Sequence, residues 1–169
     1  MDLRYPIGKF EKPVKVTAED REQWISDLAS LPATVQLHLE RLGPGGLDLP
    51  YRPGGWTARL VVHHLADSHM NSFVRFRLAL TEDNPTIKPY DEAAWALLAD
   101  SRTMEPAPSL AILDGLHARW VVMLRALNEA DFARTFFHPE MGEVRLDHTL
   151  ALYSWHCRHH AGHLGLIAL

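Results

Sequence analysis

Four stretches of the chain repeat apolar residues at the spacing of an α-helix, and the segments between them do not. The first opens at Thr17-Ala18-Glu19-Asp20, where a threonine cap precedes an acidic first turn. Apolar residues then recur at Trp24, Ile25, Leu28, Leu31, Val35, Leu37 and Leu42. Pro32 predicts a break or kink in this helix, and Gly43-Pro44-Gly45-Gly46 ends it. The second stretch starts near Thr57 and runs to about Thr81, stopped by Asn84-Pro85. The third is Leu110–Leu127, with Ser109 as its N-cap and Leu110, Leu113, Leu116, Trp120, Leu124 and Leu127 on one face. The fourth runs from about Asp147 to the C-terminus.

The intervening segments are irregular. Residues 1–16 carry Pro6, Gly8 and Pro13 and read as an extended arm lying on the domain. Residues 47–57 read as a loop, Asp91 to Ala99 as a short helix packing Trp95 and Leu98, and residues 128–146 as a connection with a turn at Pro139-Glu140-Met141-Gly142. The pattern predicts an all-α protein: an up-and-down four-helix bundle with long irregular connections, one of them a crossover, forming a single domain over 1–169.

Composition narrows the function. Apolar residues make up 47% and charged residues 22%, the balance of a soluble globular chain. No run approaches the roughly 20 apolar residues that cross a bilayer, and no apolar stretch follows Met1 to act as a secretion signal. A net charge of −4 argues against a dedicated nucleic-acid binder. The one cysteine, Cys157, has no partner for an internal disulfide, which fits a reducing cytoplasm. The expectation is a cytoplasmic protein with neither membrane nor nucleic acid as partner.

Histidine departs from the ordinary. Of 11 histidines, seven fall between His63 and His69 or between His156 and His163. At 100° per residue, His156, His159, His160 and His163 share about 100° of arc on one face of the fourth helix. His156/His160 and His159/His163 are both i, i+4 pairs, and such a pair grips one cation from two sides. On the second helix, His64, Asp67, Ser68, Asn71 and Arg75 form a narrow polar stripe bordered by Leu60, Val61, Leu65 and Leu78. That places a polar pocket in the bundle or at its mouth. His63 points about 100° away from His64, and His69 lies on the opposite side. One histidine of helix two with an i, i+4 pair of helix four makes a three-nitrogen site with open positions, the arrangement of catalytic zinc-like metals. Cys157 lies off this axis. His38, His117, His138 and His148 read as surface or core residues, with His117 the most inward of them. Read as spacing alone, the four-histidine face also fits a solvated or pH-sensitive surface.

Tyr51-Arg52-Pro53-Gly54-Gly55-Trp56-Thr57, followed by His63-His64-Leu65-Ala66-Asp67-Ser68-His69-Met70-Asn71, resembles the YfiT branch of the DinB/YfiT-like metalloprotein superfamily. Leu80-Thr81-Glu82, Pro85 to Tyr90, Phe137 to Glu140 and Tyr153 to His163 resemble the branch as well, so the likeness runs along nearly the whole chain. It implies a four-helix bundle holding one divalent metal through three histidines. It selects His64 over His63 and His156/His160 over His159/His163. It implies zinc or nickel as the metal, a homodimer, and a metal-dependent hydrolase or a bacillithiol-type S-transferase using a low-molecular-weight thiol. No thiol-binding signature stands beside the metal motif.

On this reading a bound metal activates water or a thiol for attack on a small molecule. Asp67 is the candidate to orient a ligand or accept a proton, and Arg75 to hold a substrate carboxylate or phosphate. Asn71 is placed to support a ligand, and Trp56 and Trp155 to line the core or the pocket. The alternatives are a metal-binding stress protein without catalysis and a helical interaction module.

Overall fold

The computed structural model describes residues 2–167. Four long helices form the body: α1 (Ala18–Leu42), α2 (Ala58–Thr81), α5 (Ala107–Arg125) and α7 (Leu146–Ile167). Short helices α3 (Glu92–Trp95), α4 (Ala99–Thr103) and α6 (Glu129–Phe132), a 3-10 turn at Pro44–Gly46 and a hairpin of β1 (Thr135–His138) and β2 (Gly142–Arg145) fill the connections. No helix among the described residues is long and apolar enough to cross a membrane.

The helix ends follow local chemistry. Thr17 and Asp20 form the reciprocal capping box of α1. Its chain leaves at Gly43 with φ of 63°, a conformation glycine reaches without a Cβ clash. Thr57 caps α2 by accepting from the Leu60 amide. The far end of α2 is capped from a distance, by the Arg134 guanidinium donating to the Ala79 and Glu82 carbonyls.

The four-helix bundle and its long connections match the expectation; the order of helices around it was not readable from periodicity. Each of α1 and α2 packs against both α5 and α7. The ring therefore runs α1–α5–α2–α7, with α1 and α2 at opposite corners, and α5 and α7 likewise. Two connections, rather than one, span a diagonal. That explains their length: a chain leaving one corner for the opposite one cannot use a tight turn.

Four local expectations are corrected. Pro32 neither breaks nor ends α1, which is continuous from Ala18 to Leu42 with Pro32 buried. The helix α5 starts at Ala107, and Pro106 stands at its N-cap position instead of Ser109; the Ser109 hydroxyl is engaged by His63. The connection 128–146 carries a paired hairpin, Thr135 opposite Arg145 and His138 opposite Gly142, and β1 also bonds to residues 85–87 through Phe137. The N-terminal arm lies on the domain as expected, against α7, but it is turned rather than extended, with bonds from Tyr5 to Asp2 and from Gly8 to Tyr5.

One cluster of buried side chains joins the four long helices, including Leu28 and Val35 of α1, Val61, Leu65 and Phe76 of α2, Leu113, Trp120 and Leu124 of α5, and Leu150 and Leu164 of α7. Interhelical polar ties add register: Asp27 of α1 accepts from Ser154 and pairs with Arg158 of α7. Cys157 is buried in the same cluster, and burial pushes its thiol well above the ordinary range. Leu150 is fully buried on the helix that carries the histidine face. Leu150→Ala should cost about 2–5 kcal/mol of stability, read as a lower urea midpoint with unchanged slope.

Candidate metal centre

The histidine face of α7 meets His64 of α2 at the floor of a pocket of about 420 Å³. His64, His156 and His160 each offer a ring nitrogen, and these nitrogens all lie within 4.8 Å of one another. The Nε2 atoms of His64 and His156 face each other at 3.2 Å. Two nitrogens bound at about 2.0–2.1 Å in a tetrahedron stand about 3.3 Å apart, so the observed spacing is that of two ligands of one ion. Three imidazoles, with no thiolate or fourth protein ligand grouped with them among the described residues, match an open site for a metal of the zinc–nickel–copper series.

The pocket wall is aromatic. Trp56 lies tilted over His64 with ring centres 4.8 Å apart. Tyr51 stacks on His163 at 3.9 Å and Trp155 on His159 at 4.2 Å. Tyr51, Arg52 and Trp56 arrive on a tight loop closed by Pro50–Thr57 pairing and by the Tyr51 amide bonding to the Trp56 carbonyl. Gly55 is required there, because a Cβ on it would lie 2.8 Å from Arg52 Cγ and 3.2 Å from the Arg52 carbonyl. The arm closes the other side with Arg4 and Tyr5. Its approach depends on Gly162, whose added Cβ would meet Pro6 Cγ at 3.0 Å.

Two arginines and two carboxylates bring charge to the mouth. Arg4 is paired with Asp2, whereas Arg52 makes no ion pair among the described residues. Glu92 is the carboxylate on the pocket wall.

The predicted residues divide. His64, His156 and His160 come together, as the family likeness implied. Asp67 lies in a separate crevice behind His64, shared with Leu60, Tyr90 and Ser101, and burial raises its carboxyl, helped by the charge of Asp100. Arg75 is not brought to the pocket; its charge acts on His138 and Tyr153. Asn71 bonds the Asp67 carbonyl one turn back. His63 faces away from the site, held by Ser109 Oγ at 2.8 Å and the Met104 carbonyl at 3.0 Å.

Three residues were missed as parts of the site. His69 and His117 are fully buried and form a chain with His156, with the His117 Nε2–His69 Nδ1 contact at 2.9 Å and His69 Nε2–His156 Nδ1 at 3.1 Å. Tyr153 packs on His69 and His156 and bonds Ser68. Helical angles place His69 opposite His64, and only the approach of α5 and α7 gives it polar neighbours. His159, His160 and His163 form a second group of mutually close nitrogens that shares His160 with the first.

Burial removes water that would solvate an imidazolium, so these rings stay neutral far below the ordinary range. His64 is held down to about 4 by burial, with His159 and His163 adding repulsion. His117 is also held at about 4 by burial. His69, His156 and His160 lie well below the usual value for the same reason. Neutral imidazole is the ligand form.

A four-helix bundle with a three-histidine floor defines the class of protein. The DinB superfamily pattern matches residues 28–164. The chain is 48% identical over 165 residues to the Bacillus subtilis protein named "Putative metal-dependent hydrolase YfiT", covering 97% of this chain and 93% of that one. A Bacillus mycoides relative with the same description is 51% identical over 163 residues, covering 96% and 94%. The solved structure of YfiT from Bacillus subtilis, described as having an unusual four-helix bundle topology, superposes with a TM-score of 0.94 at 46% identity over 99% of this chain and 96% of that one. The four-helix bundle protein TT2238 shares the fold at TM-score 0.55 and 22% identity, over 86% of this chain and 95% of that one. The chain belongs to the DinB superfamily, in the group that includes YfiT.

The neutral rings make stability pH-dependent. Unfolded, His64 and His117 titrate near 6.5; folded, at about 4. Between these values the unfolded chain binds more protons, so each ring's contribution is complete above the upper value and falls as pH drops towards the lower one. The slope is about 1.4 kcal/mol per pH unit per ring. Urea midpoints of chelator-treated protein should therefore fall steadily from pH 7 to pH 5, and His64→Ala should flatten the slope; a level profile would contradict the burial account.

Proposed function

We propose that the protein is a divalent-metal-dependent enzyme acting on a small anionic molecule, with His64, His156 and His160 as the ligands of zinc or nickel. The observation that carries this reading is the convergence of three neutral imidazoles, His64 and His160 buried and His156 half-buried, at the floor of an open pocket, with an arginine at its mouth that makes no ion pair among the described residues. A bound divalent ion supplies Lewis acidity, making water or a thiol a nucleophile near neutral pH.

The chain's own residues supply the rest. Arg52 presents a guanidinium that makes no ion pair among the described residues and suits a substrate carboxylate or phosphate. This transfers to Arg52 the anchoring task that the sequence suggested for Arg75. Glu92 stands on the wall where a proton leaving the nucleophile has an acceptor. Asp67 is left to support His64 from behind. Trp56, Tyr51 and Trp155 present apolar faces that exclude water around the reacting group.

Two chemistries share this site. The relatives are described as hydrolases. The family likeness also includes transfer of a low-molecular-weight thiol, and the pocket supports that finer reading: its volume of about 420 Å³ and the guanidinium of Arg52 on its lining suit a small thiol bearing a carboxylate. We assign thiol transfer as the more specific activity.

Metal content of tag-free protein purified without chelator should be about one equivalent per chain. His64→Ala and His156→Ala, each folded by circular dichroism, should lose it. Loaded protein should then transfer a carboxylated thiol to an electrophile, and Arg52→Ala should raise KM for that thiol far more than it lowers kcat. Metal-free parent protein after incubation with zinc and nickel salts would refute the metalloenzyme reading. Hydrolysis without thiol transfer would refute the finer one.

A further inference from the structure

Three buried histidines outside the ligand set, His69, His117 and His163, are joined to it by hydrogen bonds, and each chain of bonds ends on a backbone carbonyl. A carbonyl only accepts, so it dictates where every proton along the chain must sit.

The first chain starts in α1. Pro32 has no amide proton, so the Leu28 carbonyl, four residues earlier, lacks its helical donor. His117 Nδ1 takes that place at 2.6 Å and must donate. A neutral His117 then presents Nε2 as acceptor, so His69 Nδ1 donates to it. His69 Nε2 is left to accept from His156 Nδ1. The remaining nitrogen of His156, its Nε2, carries only a lone pair and faces His64. Among the described residues no carboxylate bonds to any of these three rings, so an imidazolium among them would have no carboxylate bonded to it.

The second chain starts in the arm. The Arg4 carbonyl accepts from His163 Nε2 at 3.3 Å. His163 Nδ1 then accepts from His160 Nδ1, also at 3.3 Å, which leaves His160 Nε2 as a lone pair.

We propose that His69, His117 and His163 are positioning residues: two carbonyl-anchored imidazole relays lock His156 and His160 in the tautomer whose Nε2 is free to bind the metal. This rests on the three-histidine metal reading above and adds a role for residues outside the ligand set. It also gives His160 Nδ1 an occupation, so the His159–His160–His163 group is a support for the first site and not a second one.

The test has two arms. Long-range proton–nitrogen correlation spectra of metal-free, isotope-labelled protein read each tautomer directly. His69, His117, His156 and His160 should carry the proton on Nδ1, and His163 on Nε2. A proton on Nε2 of His156 or His160 overturns the proposal, and this arm holds even if the parent binds no metal, which separates the two readings. The second arm is zinc affinity by competition with a chromophoric chelator. His117→Leu should weaken binding about 10–100-fold, with the His156 resonances showing a mixture of tautomers. His117→Gln, which can both donate to Leu28 and accept from His69, should restore affinity and tautomer. Parent affinity in a folded His117→Leu, or two equivalents of zinc in the parent with one lost in His163→Leu, would refute the relay. If His117→Leu does not fold, the spectra of the parent decide alone.

Discussion

A single missing amide proton organises much of this molecule. Pro32 leaves the Leu28 carbonyl without a partner inside the helix, and burial makes an unpartnered carbonyl costly. His117 meets the need from across the α1–α5 contact, which ties the helix pair at one depth and orients the ring. A proline inside a helix is ordinarily a defect. Here the freed acceptor is used, α1 stays continuous, and the orientation passes through His69 to the pocket floor.

The site combines a rigid part and a covering part. Four of its histidines ride on α7, so their spacing is that of the helix itself and is held by the core around Leu150 and Leu164. The cover is irregular chain: the arm laid against Gly162 and the loop closed at Gly55. Both approach closely because a side chain is absent at one position. Regular structure thus fixes the nitrogens, and irregular structure sets the shape and charge of the space above them.

The diagonal order of helices has a functional consequence. α2 and α7 are neighbours, so His64 reaches His156 and His160; α5 also borders α2, so His117 reaches His69. A ring in sequence order would have given α2 different neighbours. The long connections are the cost of this arrangement, and the hairpin, Arg134 and the residue 85–87 segment stiffen one of them.

Much was legible in the sequence. Periodicity located the four long helices, Thr17 and Thr57 marked two starts, and the helical angles of His156 and His160 put them on one face. These features are local, set by neighbours within a turn or two of chain. The choice of His64 over His63 came from family likeness, because spacing alone allowed either. What depended on tertiary structure involves partners far apart in sequence: His69 turned from a ring on the wrong face into a link, Arg75 left outside the pocket, Arg52 brought to its mouth, and Pro32 kept within a continuous helix. Hydrophobic pattern says which side of a helix is buried. It does not say which helix lies opposite, and that decides whether a buried ring is idle or bonded.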